Sequence, residues 1–133
     1  MNFDFSKYQD GFARQVDDYL KKSGMKQIEL AKFLGEGIDE QKISKLINKS
    51  DSGAYGMRLM GHYLILFVMR RVVDVRSLNL GNKPAEVLLK ELAPILEDEE
   101  LIYIISAVKK MGRDPKSVLK PWYNDIKEIS KKQ

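Results

Sequence analysis

Apolar side chains recur in this sequence at the spacing of a helix surface, and nowhere do they alternate as a strand requires. Phe5, Tyr8, Phe12, Val16, Tyr19 and Leu20 follow one another at steps of 3, 4, 4, 3 and 1, which places them on one face of a helix. The stripe ends at Lys21, Lys22 and Gly24, a basic last turn followed by a glycine stop. Gly11 interrupts it and is a candidate for the helix's true start. Across residues 56–75, Met57, Met60, Leu64, Phe67, Val68, Val72 and Val75 keep helical spacing in one long apolar segment. Asn82 and Pro84 open a further helix over residues 85–92, and Pro94 ends or bends it. The acidic run at residues 97–100 starts the next helix, which carries Leu101, Ile104, Ile105 and Val108 to Lys109, Lys110 and Gly112; acid at the start and base at the end is the polarity the helix dipole favours. Asp114 and Pro115 cap a last helix with Val118, Leu119, Trp122, Ile126 and Ile129, kinked at Pro121. The expected fold class is all-α.

Composition narrows the chemistry. The chain has 133 residues, no cysteine and one histidine, a length that fits one domain or a small domain with an appendage. Without cysteine there is no disulfide framework, thiolate metal site or thiol nucleophile, and a reducing cytoplasm is the expected location. With His62 alone, multi-histidine metal sites are excluded, and its apolar setting reads as an interior or interface histidine. The acidic run at 97–100 lacks an EF-hand loop. Neither a Gly-rich phosphate loop, an HExxH pair nor a nucleophile elbow occurs. Hence no enzyme activity, cofactor or metal is expected. The opening MNFDFSKYQD lacks the basic start and apolar run of a signal peptide. The most apolar stretch, residues 63–69, ends at Arg70 and Arg71, far short of the roughly 20 residues a membrane span needs; it reads as a buried helix, and no membrane partner is expected.

The net charge of +4 is unevenly placed: residues 1–52 are neutral, 53–81 carry +3, 82–107 carry −4 and 108–133 carry +5. Charge runs usually serve solubility, so these blocks do not by themselves name a partner.

The informative stretch is residues 25–49, MKQIELAKFLGEGIDEQKISKLINK. Its first half is expected to bury Ile28, Leu30, Ala31 and Leu34 and to close at Gly35. A residue as small as Ala31 lets a second helix cross closely. Asp39 can cap that second helix, in which Ile43, Leu46 and Ile47 face inward. Gln41, Ser44, Lys45 and Asn48 then form the outer face. Two short helices, a glycine turn and a polar, lightly basic outer face on the second describe a helix-turn-helix.

At this level the chain resembles a known family. Gln27-x-x-Leu30-Ala31-x-x-Leu34-Gly35, followed by Ile43-Ser44-Lys45-Leu46, is similar to the helix-turn-helix of Cro and phage-repressor (XRE-type) DNA-binding proteins. Residues 12–20 are placed like that family's first helix, and residues 63–80 resemble its closing helices, so the resemblance spans about residues 12–80. It differs in the turn: seven residues lie between Gly35 and Ile43, two more than is usual, most simply Glu36 and Gly37. The resemblance implies a five-helix, repressor-like helix-turn-helix domain at 1–81, followed by a helical C-terminal extension at 82–133 that serves dimerisation or regulation. It further implies that Gln27 grips a phosphate, that Glu40, Gln41 and Lys45 read base edges, that Ser44 and Asn48 share their face, and that Lys42 and Lys49 reach phosphates. The chemistry suits these roles, since Gln and Asn can bond adenine bidentately, Lys can donate to guanine and Glu can accept from cytosine.

The function implied is sequence-specific transcriptional regulation, as a repressor of phage or mobile-element type, with helix 39–49 in the major groove of double-stranded DNA. A homodimer would bind half-sites about one helical turn apart. The C-terminal helices could also receive a protein partner or pack on the first domain, and the basic tail with Trp122 and Tyr123 could add phosphate contacts. The alternative is a protein-interaction module on the same scaffold, an antirepressor or inhibitor.

Overall fold

The computed structural model describes residues 4–35, 37–48 and 58–118, with the side chain of Lys116 left aside. Among them every regular element is helical: α1 (Phe5–Ser23), α2 (Gln27–Leu34), α3 (Glu40–Asn48), α4 (His62–Met69), α5 (Asn82–Leu92), α6 (Asp98–Lys110) and the short α7 (Pro115–Val118), with 3₁₀ turns at Val75–Ser77 and Ala93–Ile95. The chain is therefore all-α over the described residues, and no helix there is long and apolar enough to cross a membrane. The expected last helix beyond residue 118, with Trp122 and the basic tail, lies outside the described residues, as does Met57.

Helix α1 begins at Phe5 because Asp4 caps it, its carboxylate accepting from the Lys7 N–H at 3.2 Å. Gly11 is thus interior, not the start expected from the sequence. It faces Ser77 and Leu78, where an added Cβ would make ordinary contacts of 3.7 Å. The stop at Gly24 is as expected: φ is +72° and its N–H bonds to the Leu20 carbonyl, a conformation that glycine adopts without a Cβ clash.

Aromatic side chains seat α1 on α4. Phe12 meets Phe67 edge-on with ring centroids 5.2 Å apart, Tyr8 lies against Phe12 at 6.0 Å and Tyr63 against Phe67 at 6.2 Å. The buried Tyr8 hydroxyl donates to the Leu59 carbonyl. Burial disfavours the phenolate and pushes the Tyr8 hydroxyl well above the ordinary phenol range. Gln15 holds the Val75–Ser77 turn on α1 by a reciprocal pair, its amide donating to the Asp74 carbonyl at 3.1 Å and accepting the Asp74 N–H at 2.6 Å. Asp74 caps that turn through the Arg76 N–H at 3.0 Å. The Arg76 side chain bonded to it holds the Asp74 carboxyl below its ordinary value.

The apolar segment expected across residues 56–75 does not run as one helix. Helix α4 stops at Met69, where Arg71 takes φ +61°. The Arg71 N–H bonds to the Val68 carbonyl at 3.0 Å and the Val72 N–H to the Phe67 carbonyl at 2.9 Å. This is a Schellman stop with arginine in the place usually taken by glycine. Helix α6 ends in the same pattern, with Gly112 at φ +78° and bonds from Gly112 to Lys109 and from Arg113 to Val108. His62, read from the sequence as an interior or interface histidine, is exposed at the start of α4 and so is not interior.

What holds Arg71 in place is Glu100. One guanidinium nitrogen lies 2.7 and 2.8 Å from the two Glu100 carboxylate oxygens and the other donates to the Ile95 carbonyl at 3.2 Å. The Glu100 residue is 4% exposed, and it also accepts the Glu97 N–H at 3.1 Å, closing the first turn of α6. The acidic run therefore opens a helix, as its sequence suggests, and one of its carboxylates is buried in an ion pair. Helices α5 and α6 pack against each other, α5 against α4, and α6 against the Val75–Ser77 turn, to which Tyr103 donates through the Leu78 carbonyl at 2.6 Å. Buried side chains from Tyr8 to Val118 form a single core cluster.

Two substitutions test these supports. Arg71→Gly keeps the left-handed conformation while leaving a buried carboxylate unpaired, and should cost about 2–3 kcal/mol in urea unfolding, the outer exposure of Arg71 moderating the loss. Tyr8→Phe leaves a carbonyl unsatisfied at a cost of about 1–3 kcal/mol near neutral pH. Because the native phenol keeps its proton above pH 10 while the unfolded one loses it, the parent's stability declines as pH rises past that value. The gap between parent and Tyr8→Phe should accordingly narrow there, as followed by pH-dependent unfolding.

Candidate nucleic-acid interface

The pair α2 and α3 is shaped by short-range signals. The Glu29 carboxylate accepts the Lys26 N–H at 3.0 Å at the head of α2, and Gly35, at φ +70°, ends it with an N–H bond to the Ala31 carbonyl at 3.0 Å. The chain then turns through Gly37 at φ +80°, held by the Ile38 N–H on the Gly35 carbonyl at 3.1 Å. Asp39 caps α3 as expected, its carboxylate accepting the Lys42 N–H at 2.9 Å. Ala31, Leu34, Ile38, Ile43 and Leu46 are buried, α3 packs against both α2 and α1, and Ile47 is half-buried at the margin.

The outer face of α3 carries Glu40, Gln41, Lys45 and Asn48, all exposed, with Ser44 half-buried between them. Asn48 donates to the Ser44 hydroxyl at 3.3 Å, which fixes the two side chains relative to each other. Gln41, Ser44, Lys45 and Asn48 stand at steps of 3, 1 and 3, so they present hydrogen-bonding groups along one stripe. Gln27 is the first residue of α2 and half-buried. Lys42 is turned away from this stripe and donates to the Gly37 carbonyl at 2.6 Å, stapling the turn. Lys49 lies outside the described residues, and so does Glu36 of the lengthened turn.

Two features were not legible beforehand. Ile28, expected in the core, is 46% exposed. It walls a shallow open groove of about 580 Å³ between α2 and the turn, also lined by Ala31, Lys32, Ile38 and Gln41. The only advance signal was the long turn. Second, much of the positive charge of residues 53–81 is already matched. Arg71 pairs with Glu100, and Arg76 with Asp74 at 3.0 Å and with Glu99 at 3.3 Å. Arg113 of the basic C-terminal block likewise pairs with Glu86 at 3.2 Å. Among the described residues no group of three or more His, Asp or Glu side chains is arranged to hold a metal ion.

No family model, curated protein or solved structure matches this chain.

Asp39→Ala should remove the α3 cap and destabilise the protein by about 0.5–2 kcal/mol, with amide-exchange protection falling most in the first turn of α3. Equal loss of protection along α1 and α6 would show that the cap supports the whole fold and not this helix.

Proposed function

We propose that the chain is a cytoplasmic, sequence-specific DNA-binding regulator of transcription, a repressor of phage or mobile-element type built on a five-helix, repressor-like helix-turn-helix domain. In this reading α3 enters the major groove. The observation that carries it is the outer face of α3: a short helix, capped at Asp39 and anchored by Ile43 and Leu46, presents Gln41, Ser44, Lys45 and Asn48 together. Their donors and acceptors suit base edges in a groove wide enough to admit one helix. In this reading Gln27 at the head of α2 meets a phosphate and Glu40 accepts from cytosine. With Lys42 engaged on Gly37, its contribution to phosphate binding requires that bond to open. A single helix makes few base contacts, so operator half-sites would be bound by two copies.

A second reading, a protein-interaction module on the same scaffold, is favoured by one observation: the arginines at 71, 76 and 113 are matched by acids, which leaves less charge for a polyanion. Footprinting on genomic fragments, including the promoter region of the chain's own gene, separates the two. The regulator protects a discrete site at low salt, and protection of none would turn the assignment to the interaction module. On the protected site Lys45→Ala should weaken binding by about 1–3 kcal/mol and leave non-specific binding nearly unchanged. An equal loss on both would refute base reading by Lys45.

A further inference from the structure

The third residue of a helix is where a glutamate or glutamine commonly reaches back to the N–H of the cap. Helices α2 and α6 follow that pattern: Glu29 accepts the Lys26 N–H at 3.0 Å, and Glu100 accepts the Glu97 N–H at 3.1 Å. Helix α3 does not. Its third residue is Lys42, a cation in the turn where the helix dipole favours an anion. The Lys42 ammonium also reaches back, but to a carbonyl beyond the cap: it donates to Gly37 at 2.6 Å while the Lys42 N–H is held by the Asp39 carboxylate at 2.9 Å. One residue thereby ties α3 both to its cap and to the turn before it. Gly37 belongs to the lengthened turn and stands at φ +80°, where glycine has wide conformational freedom. Ile38 fastens the next position, its side chain buried and its N–H on the Gly35 carbonyl at 3.1 Å. A residue that goes against the local preference at one helix start, where two others in the same chain obey it, points to a role outside the helix itself.

The tilt of α3 decides what its outer face can reach. Gln41 and Asn48 are seven positions apart, about 10 Å along the axis, and the buried Ile43 and Leu46 anchor the helix between them. Tilting it by about 10° on that anchor moves each end by about 1 Å, enough to take a base contact out of hydrogen-bond range. We infer that Lys42 is a positioning residue for α3: it keeps its bond to the Gly37 carbonyl when DNA is bound, sets the tilt at which α3 leaves the lengthened turn, and acts on base recognition through Gln41 instead of holding a phosphate. This role rests on the DNA-binding reading of α3.

The test uses the full chain with Lys42→Met, which keeps the stem and removes the ammonium, and with Lys42→Arg, which keeps a cationic donor of similar reach. Without DNA, amide exchange at Ile38 should quicken by about fivefold in Lys42→Met and stay near the parent's rate in Lys42→Arg. On the fragment protected in footprinting, Lys42→Met should bind about tenfold more weakly, with affinity for a random duplex retained and the slope of log affinity against log salt unchanged. Lys42→Arg should recover most of the specific affinity. A slope lower by about 0.9, with specific and random duplexes weakened together, would make Lys42 a phosphate contact and overturn the proposal. Equal loss on both duplexes at constant slope marks a protein that is only destabilised, and overturns it too. So would Ile38 exchange that does not respond to Lys42→Met, specific binding that does not change, or failure of Lys42→Arg to restore it. If the chain protects no fragment, the DNA-binding reading falls and this role falls with it; protection accompanied by any of the other outcomes overturns this role alone.

Discussion

The Arg71–Glu100 pair is the constraint on which the arrangement of the chain's second half rests. An L-residue in the left-handed region costs on the order of 1–2 kcal/mol, and at the equivalent point of α6 the chain uses Gly112. Arginine at the end of α4 therefore carries a backbone cost that its side chain must offset. It does so by meeting a carboxylate otherwise buried without a counter-charge, and breaking such a pair costs more than removing both partners. Glu100 in turn closes the first turn of α6 through Glu97. Helix stop, ion pair and helix start are thus one unit that turns the chain and directs α6 back beside the Val75–Ser77 turn.

This has a consequence for the segment after residue 82. Leu88, Leu89 and Leu92 of α5 and Leu101, Ile104, Ile105 and Val108 of α6 are buried in the same cluster as Phe12 and Phe67. The apolar stripes that make these helices look like an association surface are occupied within the chain. Among the described residues, contact with a second copy or another protein would use side chains outside that core, such as the half-buried Ile102 or the exposed Ile28.

Signals confined to one turn of chain were legible in the sequence. Gly24, Asp39, Pro84 and Gly112 act where their propensities say they should, because a cap or a left-handed stop is decided by neighbours within four residues. Signals that depend on distant residues were not. Arg71 contradicts its own backbone preference and is explained only by a partner 29 positions away; Arg76 and Arg113 look like free cations until the fold brings Glu99 and Glu86 to them. Ile28 fits the inward periodicity of α2 but lies at the lip of a helix only eight residues long, beside a turn that stands off it. Of the candidate site, the capped helix and its polar stripe were readable, because both follow from helical spacing. The diversion of Lys42 was not, since it depends on where the lengthened turn puts the Gly37 carbonyl.

Those pairings bear on how α3 could bind DNA. Each phosphate neutralised by a lysine or arginine contributes roughly 0.9 to the slope of log affinity against log salt, and cations matched by carboxylates contribute little. The α3 face itself holds Lys45 against Glu40, with no net charge between them, and Lys42 is engaged on the turn. Binding through this face would therefore draw on hydrogen bonds from Gln41, Ser44 and Asn48 more than on counterion release. Such bonds discriminate between bases but supply little affinity at a distance. A protein so built needs a second point of attachment, either another half-site held by a second copy or a partner protein.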